Sequence, residues 1–241
     1  MRELEYFHAM KMLPGAWPII RVDGKGFSKF TESNFKKPFD ERFHQLMVQT
    51  AEKLLVELGG VYAYTESDEI SLLLPREWNL YDREVEKTVS ISAGIASSTF
   101  TLASGQAVVF DSRIWLGASE DLVMDYFRWR QADAHRCALN GWTYWTLRNQ
   151  GQDVAKATSA LFEKTVAEKN ELLFTHGINF NDLPLWQRRG TGLYWEDYEK
   201  PGYDPIRQIE VAAQRRRIKI DRELPMKDEY SLFLKSNVMN T

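Results

Sequence analysis

Two stretches of this sequence hold acidic residues where carboxylates could act on phosphate. In Trp17–Phe30, WPIIRVDGKGFSKF, an apolar run ends at Asp23, just before the turn residues Gly24, Lys25 and Gly26. In Val61–Leu74, VYAYTESDEISLLL, Ser67, Asp68 and Glu69 stand at the bend between two runs of core-type residues. Acids at the ends of neighbouring strands are what a divalent-cation site needs, because Mg²⁺ favours one or two carboxylates plus substrate phosphates. Two such ions, about 3.5–4 Å apart, activate a hydroxyl and stabilise the leaving oxygen in phosphoryl or nucleotidyl transfer. Lys25 and Lys37 could neutralise a triphosphate, and the glycines would let backbone groups approach it. A second reading stands beside this one: Asp23 and Asp68 as turn residues held by local hydrogen bonds.

The elements that must position these acids follow from periodicity. Residues 1–16 read as a short amphipathic helix or arm, and Trp17–Val22 as the first strand. Ser28–Pro38 reads as polar and irregular. Glu41–Leu58 is a helix with Phe43, Leu46, Met47, Thr50, Ala51, Leu54, Leu55 and Leu58 on one face, capped by Asp40 and closed by Gly59-Gly60. The Val61–Leu74 hairpin follows. Tyr81–Ala103 is a second helix, with small residues from Ser92 to Ser98 that let it lie close to a sheet, and Gln106–Phe110 is a fourth strand. The order strand, helix, strand, strand, helix, strand is the split βαβ arrangement of the ferredoxin-like fold.

Beyond it, Ser119–Asn149 reads as a long helix, with Ser119 as its N-cap. Its many aromatics call for packing on other helices or on a second subunit. Asp153–Leu173 reads as a helix interrupted near Lys169-Asn170-Glu171. Thereafter loops, a short strand at Gly192–Trp195 and a ragged tail are expected. Arg215-Arg216-Arg217 with Lys219 is a basic cluster, most simply a solvated helix face and second a phosphate-binding patch. The fold class is therefore α+β, a ferredoxin-like βαββαβ palm over residues 1–118, with a mostly helical C-terminal region over 119–241 packed on it as one structural unit.

Composition agrees with an ordinary globular chain: 241 residues, 44% hydrophobic and 27% charged. A net charge of −3 argues against a protein that coats nucleic acid non-specifically, while leaving room for a local basic face. The single cysteine, Cys137, rules out an intramolecular disulfide and a cysteine-based zinc cluster. The N-terminal MRELEYFHAM has no apolar signal core, and no run is long enough to span a membrane. A cytoplasmic location and no membrane partner are expected.

The residues also resemble a family. Arg21-Val22-Asp23-Gly24-Lys25-Gly26-Phe27, Asn34-Phe35-Lys36-Lys37-Pro38 and Ser67-Asp68-Glu69 look like motifs of the tRNA-histidine guanylyltransferases. So do Trp129-Arg130-Gln131-Ala132-Asp133-Ala134-His135, Glu168–Phe174 (EKNELLF) and Arg188-Arg189-Gly190-Thr191. These six motifs occur in order, from the first strand to about Trp195. The family adds nucleotides to RNA 5′ ends in the 3′-to-5′ direction on a polymerase-type palm.

The resemblance implies that Asp23 and Asp68, with the Gly24 carbonyl, hold two Mg²⁺, and that Glu69 belongs to the catalytic set. It implies a nucleotide site formed by Asp23, Gly24, Lys25, Gly26, Phe27, Ser28, Lys37, Asp40, Ser67 and Asp68. Arg83, His135, Lys169 and Asn179 or Asn181 are candidates for the activating nucleotide or the RNA 5′ end, and Arg188, Arg215, Arg216 and Arg217 for the RNA backbone. ATP or GTP is implied as the activating nucleotide, nucleoside triphosphates as substrates, tRNA as partner, and a homotetramer as the assembly.

Two departures narrow the branch. Relatives that add guanosine opposite a mismatched adenosine carry His-Ile-Asn-Asn-Leu-Tyr-Asn where this chain has His135-Arg136-Cys137-Ala138-Leu139-Asn140-Gly141, and Ser28 stands where a histidine is common. That is similar to the guanylyltransferase-like branch, which extends truncated tRNA 5′ ends by Watson–Crick templating. Three other readings are guanosine addition to tRNA-His, a palm-fold nucleotide cyclase and a non-enzymatic RNA-binding module. The hairpin has ESDE rather than a GGDEF-like motif, which weighs against the cyclase. An RNA-binding module of this strand order uses stacking aromatics and does not need strand-end acids.

Overall fold

The computed structural model describes residues 1–204 and 209–239. Its centre is a six-stranded antiparallel sheet of order β4-β1-β3-β2-β5-β6, with β1 Trp17–Gly24, β2 Tyr62–Glu66, β3 Glu69–Leu73, β4 Phe110–Gly117, β5 Thr191–Asp204 and β6 Ile209–Asp221. The first four strands have the ferredoxin-like order. Alternation along them sends one set of side chains to each face. Ile20, Val22, Ile70 and Leu72 pack under helices α2 (Glu41–Glu57) and α3 (Val85–Ser104). Ile19, Leu73, Tyr62 and Tyr64 pack under α4 (Glu120–Asn149) and α8 (Lys227–Leu234).

The patterned elements stand where the sequence puts them. Asp40 accepts from the Arg42 N–H at 2.7 Å to cap α2, and the Gly60 N–H donates to the Leu55 carbonyl at 2.8 Å beyond its end. Ser119 caps α4 through the Leu122 N–H. Tyr126 and Phe127 of α4 go into the core against Tyr62 and Tyr64. Among the described residues no helix is long and apolar enough to cross a membrane.

Five segments differ from expectation. Residues expected to be irregular form helix α1 (Phe27–Asn34). Its Phe27 and Phe30 sit one turn apart and join Phe43, Phe100 and Phe110 in an aromatic cluster, which outweighs the polar residues between them. The fourth strand begins at Phe110, where the expected one ended. Val109 is exposed and its carbonyl accepts from the Lys25 N–H, so QAVV is a loop leading into an edge strand.

Helix α3 starts at Val85, because Tyr81, Asp82 and Arg83 all have left-handed φ values between 53° and 60°. The break in the 153–173 stretch falls between α5 (Val154–Leu161) and α6 (Val166–Thr175). A capping box of Thr165 with Glu168 starts α6, so Lys169–Glu171 are helical. The tail is the long β5–β6 ribbon followed by α8, and the C-terminal region therefore adds two strands to the sheet beside its helices. Arg215, Arg216 and Arg217 lie on β6, so they alternate between faces rather than forming one helix face.

Candidate active site

The sequence-derived acids meet at one end of the sheet. Asp23 is the last side chain of β1 and pairs in register with Glu69 of β3, which in turn pairs with Glu66 of β2. Ser67 and Asp68 form the two-residue turn between them, with Ser67 at φ 48°. The Gly24 N–H donates to the Asp68 carbonyl at 3.1 Å and ties the end of β1 to that turn.

Burial pushes the Asp68 carboxyl above its ordinary range; the Ser67 hydroxyl, donating at 2.9 Å, opposes this, and the neighbouring Asp23 adds to it. A buried carboxylate with a second one beside it suits a neighbouring cation. The donor set is hard oxygen, the kind that Mg²⁺ prefers. Among the described residues no group of three or more His, Cys, Asp or Glu side chains is arranged around a metal position. Asp23, Asp68 and the Gly24 carbonyl therefore fit an ion completed by substrate phosphate, not a closed protein cage.

Glu69 stands differently. Both of its oxygens accept from Arg130 of α4, at 2.7 and 3.0 Å, and Arg21 lies 3.7 Å away. Its charge is already matched within the protein. Glu66 accepts from the same guanidinium at 2.9 Å, yet burial pushes its carboxyl up to about 8 despite the pull of Arg130.

Beside the acids opens a cavity of about 390 Å³. Its acidic end carries Ser67 and Asp68, and Ser28, Lys37 and Asp40 also line it. Aromatic rings of Phe35, Phe39, Phe43, Tyr144, Trp145 and Trp186 form much of the rest. Lys37 is half-buried, which lowers its ammonium from the ordinary value while Asp68 and Glu32 hold it up. It donates to the Thr31 hydroxyl and lies 6.0 Å from the Trp145 ring centre. Phe27 is a core residue that anchors the start of α1, and Lys25 is exposed. Gly26, at φ 75°, leads into α1, whose first turn has no side-chain cap, so its N–H groups are open to an anion. Asp40 is committed three times, to the Arg42 N–H, to the Lys36 N–H at 2.9 Å and to the Arg42 guanidinium at 3.4 Å.

The remaining candidates divide. His135 of α4 stacks edge-on against Phe180 at 5.2 Å, and Arg188 lies over the same ring at 5.8 Å. Arg188 is buried and donates to the Leu183 carbonyl at 3.0 Å, so much of its role here is structural. Asn179 caps the short turn Phe180–Asp182 and donates to Asp182 at 2.9 Å; Asn181 is exposed, and Lys169 is partly exposed on α6.

Arg83 is not brought to the site. It lies before α3, at the sheet end opposite Asp23, and its guanidinium donates to the carbonyls of Met12, Leu13, Arg76 and Trp78, latching the N-terminal arm. On the ribbon, Arg216 covers Trp195 at 5.0 Å and Arg217 pairs with Glu196 at 2.7 Å, while Arg215 is exposed.

Sequence reading missed Arg130 and His44. Arg130 lay inside a quoted motif, but its partners Glu66 and Glu69 are more than sixty residues earlier in the chain. His44 shows only as one polar position on a helix. In the fold it is buried against Trp186, with ring centres 4.2 Å apart and nearly parallel, and its Nε2 is 3.3 Å from the Thr191 hydroxyl. Burial, reinforced by Arg222 and opposed by Glu41, pushes its pKa from 6.5 to about 4.

The unfolded chain thus takes up this proton near pH 6.5 and the folded chain only near pH 4, so acid favours unfolding across that window. The contribution is about 3 kcal/mol. Urea midpoints from pH 7 to 4 should fall less steeply for His44→Gln than for the parent chain. Parallel pH profiles would show that His44 charges freely in the fold.

A βαββαβ palm with paired acids at adjoining strand ends is the architecture of a nucleotidyltransferase. Residues 1–118 match the family model Thg1, tRNAHis guanylyltransferase, and residues 121–232 match the Thg1 C-terminal domain. The chain belongs to the tRNAHis guanylyltransferase family. It is 35% identical over 228 residues to the tRNA(His) guanylyltransferase of Debaryomyces hansenii, covering 87% of this chain and 86% of that one. Among solved structures, a bacterial tRNA(His) guanylyltransferase (Thg1)-like protein in complex with ATP superposes with a TM-score of 0.77 at 26% identity, covering 98% of this chain and 96% of that one. The crystal structure of the Saccharomyces cerevisiae enzyme gives a TM-score of 0.73 at 26% identity, covering 88% of this chain and 93% of that one.

Proposed function

We propose that this protein is a template-dependent 3′-to-5′ nucleotidyltransferase that repairs truncated tRNA 5′ ends. The observation that carries the reading is the meeting of Asp23 and Asp68 at one sheet end, with Asp68 lining an aromatic-rich cavity, in a chain of this family. A solved relative is in complex with ATP and another with GTP, which supports nucleoside triphosphates as ligands here. Asp23, Asp68 and the Gly24 carbonyl would hold two Mg²⁺, which lower the charge on phosphate and favour ionisation of an attacking hydroxyl. Lys37 and the open first turn of α1 would bind the triphosphate, and the rings of Trp145 and Trp186 would flank the base.

In the first step a 5′-monophosphate oxygen attacks the α-phosphorus of ATP or GTP, and pyrophosphate leaves. The 3′-hydroxyl of the incoming nucleotide then attacks the 5′ phosphorus of that anhydride, and AMP or GMP leaves. An RNA that already carries a 5′-triphosphate loses pyrophosphate instead and needs no activation. His135, Lys169 and Asn179 or Asn181 are assigned to the activating nucleotide or RNA 5′ end, and Arg188 with Arg215–Arg217 to the RNA backbone. Residues 1–118 are the catalytic palm, with 119–241 packed on it in one unit. The assembly is a homotetramer in the cytoplasm.

The test is 5′ extension of a tRNA lacking its first nucleotide, with Mg²⁺ and each triphosphate separately. Addition only of the base complementary to the 3′ strand is expected. Guanosine added opposite a non-pairing base would transfer the assignment to guanosine addition on tRNA-His, and no addition of any nucleotide would overturn both.

A further inference from the structure

Arg130 is buried, with 6% of its surface exposed, and it gathers three carboxyl groups from three elements, β2, β3 and α4. Its Nε donates to Glu69 Oε1 at 2.7 Å, and its Nη2 donates to Glu69 Oε2 at 3.0 Å and to Glu66 Oε1 at 2.9 Å. Its Nη1 donates to Asp133 Oδ2 at 3.3 Å, one turn along α4. Asp133 is itself held by Arg136, at 2.9 and 2.5 Å, and the Trp129 ring lies 4.7 Å from the guanidinium. Glu66 and Glu69 are the residues immediately flanking the Ser67-Asp68 turn, and they face each other across the hairpin. One planar fork thus spans both legs of the turn that carries Asp68.

Beside the strand ladder, the turn is closed by the Thr65 hydroxyl, which donates to the Glu69 carbonyl at 3.0 Å. It is two residues long, Ser67 is exposed with a left-handed backbone, and the Gly24 N–H bond is its tie to β1. The Glu66 and Glu69 carboxyl groups, paired in register across the hairpin, are tied to each other, among the described contacts, only through a shared donor. A guanidinium answers both at once, with a geometry a lysine ammonium does not reproduce.

We propose that Arg130 is a positioning residue for nucleotidyl transfer: it clamps Glu66 and Glu69 so that the intervening Asp68 carboxylate is held beside Asp23. The proposal rests on the reading of Asp23 and Asp68 given above. On this account Glu69 serves the site through the clamp and not by touching substrate.

The experiment compares Arg130→Lys with the parent chain and with Asp68→Asn in tRNA 5′ extension, recording kcat and nucleotide KM separately, with thermal unfolding as a check on the fold. Displacing a reacting group by about 1 Å can cost about 100-fold in rate. Arg130→Lys, folded, is therefore expected to lose about 100-fold in kcat with nucleotide KM changed less than about 3-fold. Should it not fold, Asp133→Asn loosens the same guanidinium from a partly exposed position, with an expected kcat loss of about 10-fold at unchanged KM. A folded Arg130→Lys with near-parent kcat overturns the proposal, as does an unchanged Asp133→Asn in its place. If Asp68→Asn is inactive in that same experiment, the metal-site reading stands and the clamp alone has failed. If Asp68→Asn is fully active, both have failed.

Discussion

Alanine in place of Asp68, or of Asp23, is expected to lower tRNA 5′ extension more than about 100-fold, beyond what outer-shell changes at metal sites usually cost. The fold should survive both changes. Asp23 and Asp68 make no ion pair within the protein among the described contacts, and Asp68 is held above its ordinary carboxylate range by burial and by Asp23, so losing either charge removes a repulsion. Asp111 supplies the control. It lies opposite Asp23 on β4, in register, but it is exposed and accepts from Arg113 at 2.9 Å. Asp111→Ala should stay within a few-fold of the parent. The measurement is kcat/KM for addition to a truncated tRNA; activity near the parent in either site variant would remove the metal assignment.

The second large effect is on stability. Gly190→Ala is expected to destabilise the fold by about 3–5 kcal/mol. Gly190 has φ 72° and ψ −170°, a backbone region open essentially to glycine alone. An added Cβ would lie 2.5 Å from the Tyr64 ring carbon Cζ and from its hydroxyl oxygen. Tyr64 cannot swing aside, because it is fully buried and its hydroxyl donates to the Arg189 carbonyl at 2.9 Å. Urea unfolding of the two chains would measure the difference, and a loss below 1 kcal/mol would show that the α7 (Leu185–Arg189) to β5 corner relaxes freely.

Legibility in the sequence tracked how strongly each segment is constrained from one side. The Glu41–Leu58 helix buries one continuous face, and the Val61–Leu74 hairpin has core-type residues on both faces on either side of a polar bend, so both read plainly and the acids could be placed at one sheet end. Helix α1 was missed because its inward face is only Phe27, Phe30 and Thr31, and rings from three other segments, Phe43, Phe100 and Phe110, hold it. The β5–β6 ribbon was missed because it pairs with β2 only at Thr191–Tyr194; beyond that, solvent reaches both faces and alternation is lost. Arg83 shows the reverse error. An arginine in a polar stretch looks free for phosphate, and only the packed arm reveals that backbone carbonyls occupy its guanidinium. Arg130 and His44 could be named as residues but not given roles, since their partners are set by tertiary contact.

The place of β5 in the sheet also bears on how the chain comes together during synthesis. β2 is an inner strand, hydrogen-bonded to β3 on one side and to β5 on the other. On a ribosome the first four strands emerge with the outer side of β2 bare, and the segment that covers it arrives only after α4 through α7 have been made. Pairing so distant in the chain is slow, and an unpaired inner strand invites contact with other chains. The nascent protein thus passes through a stage in which its acidic turn is assembled but the strand beneath it is uncovered, and Thr191–Tyr194 ends that exposure.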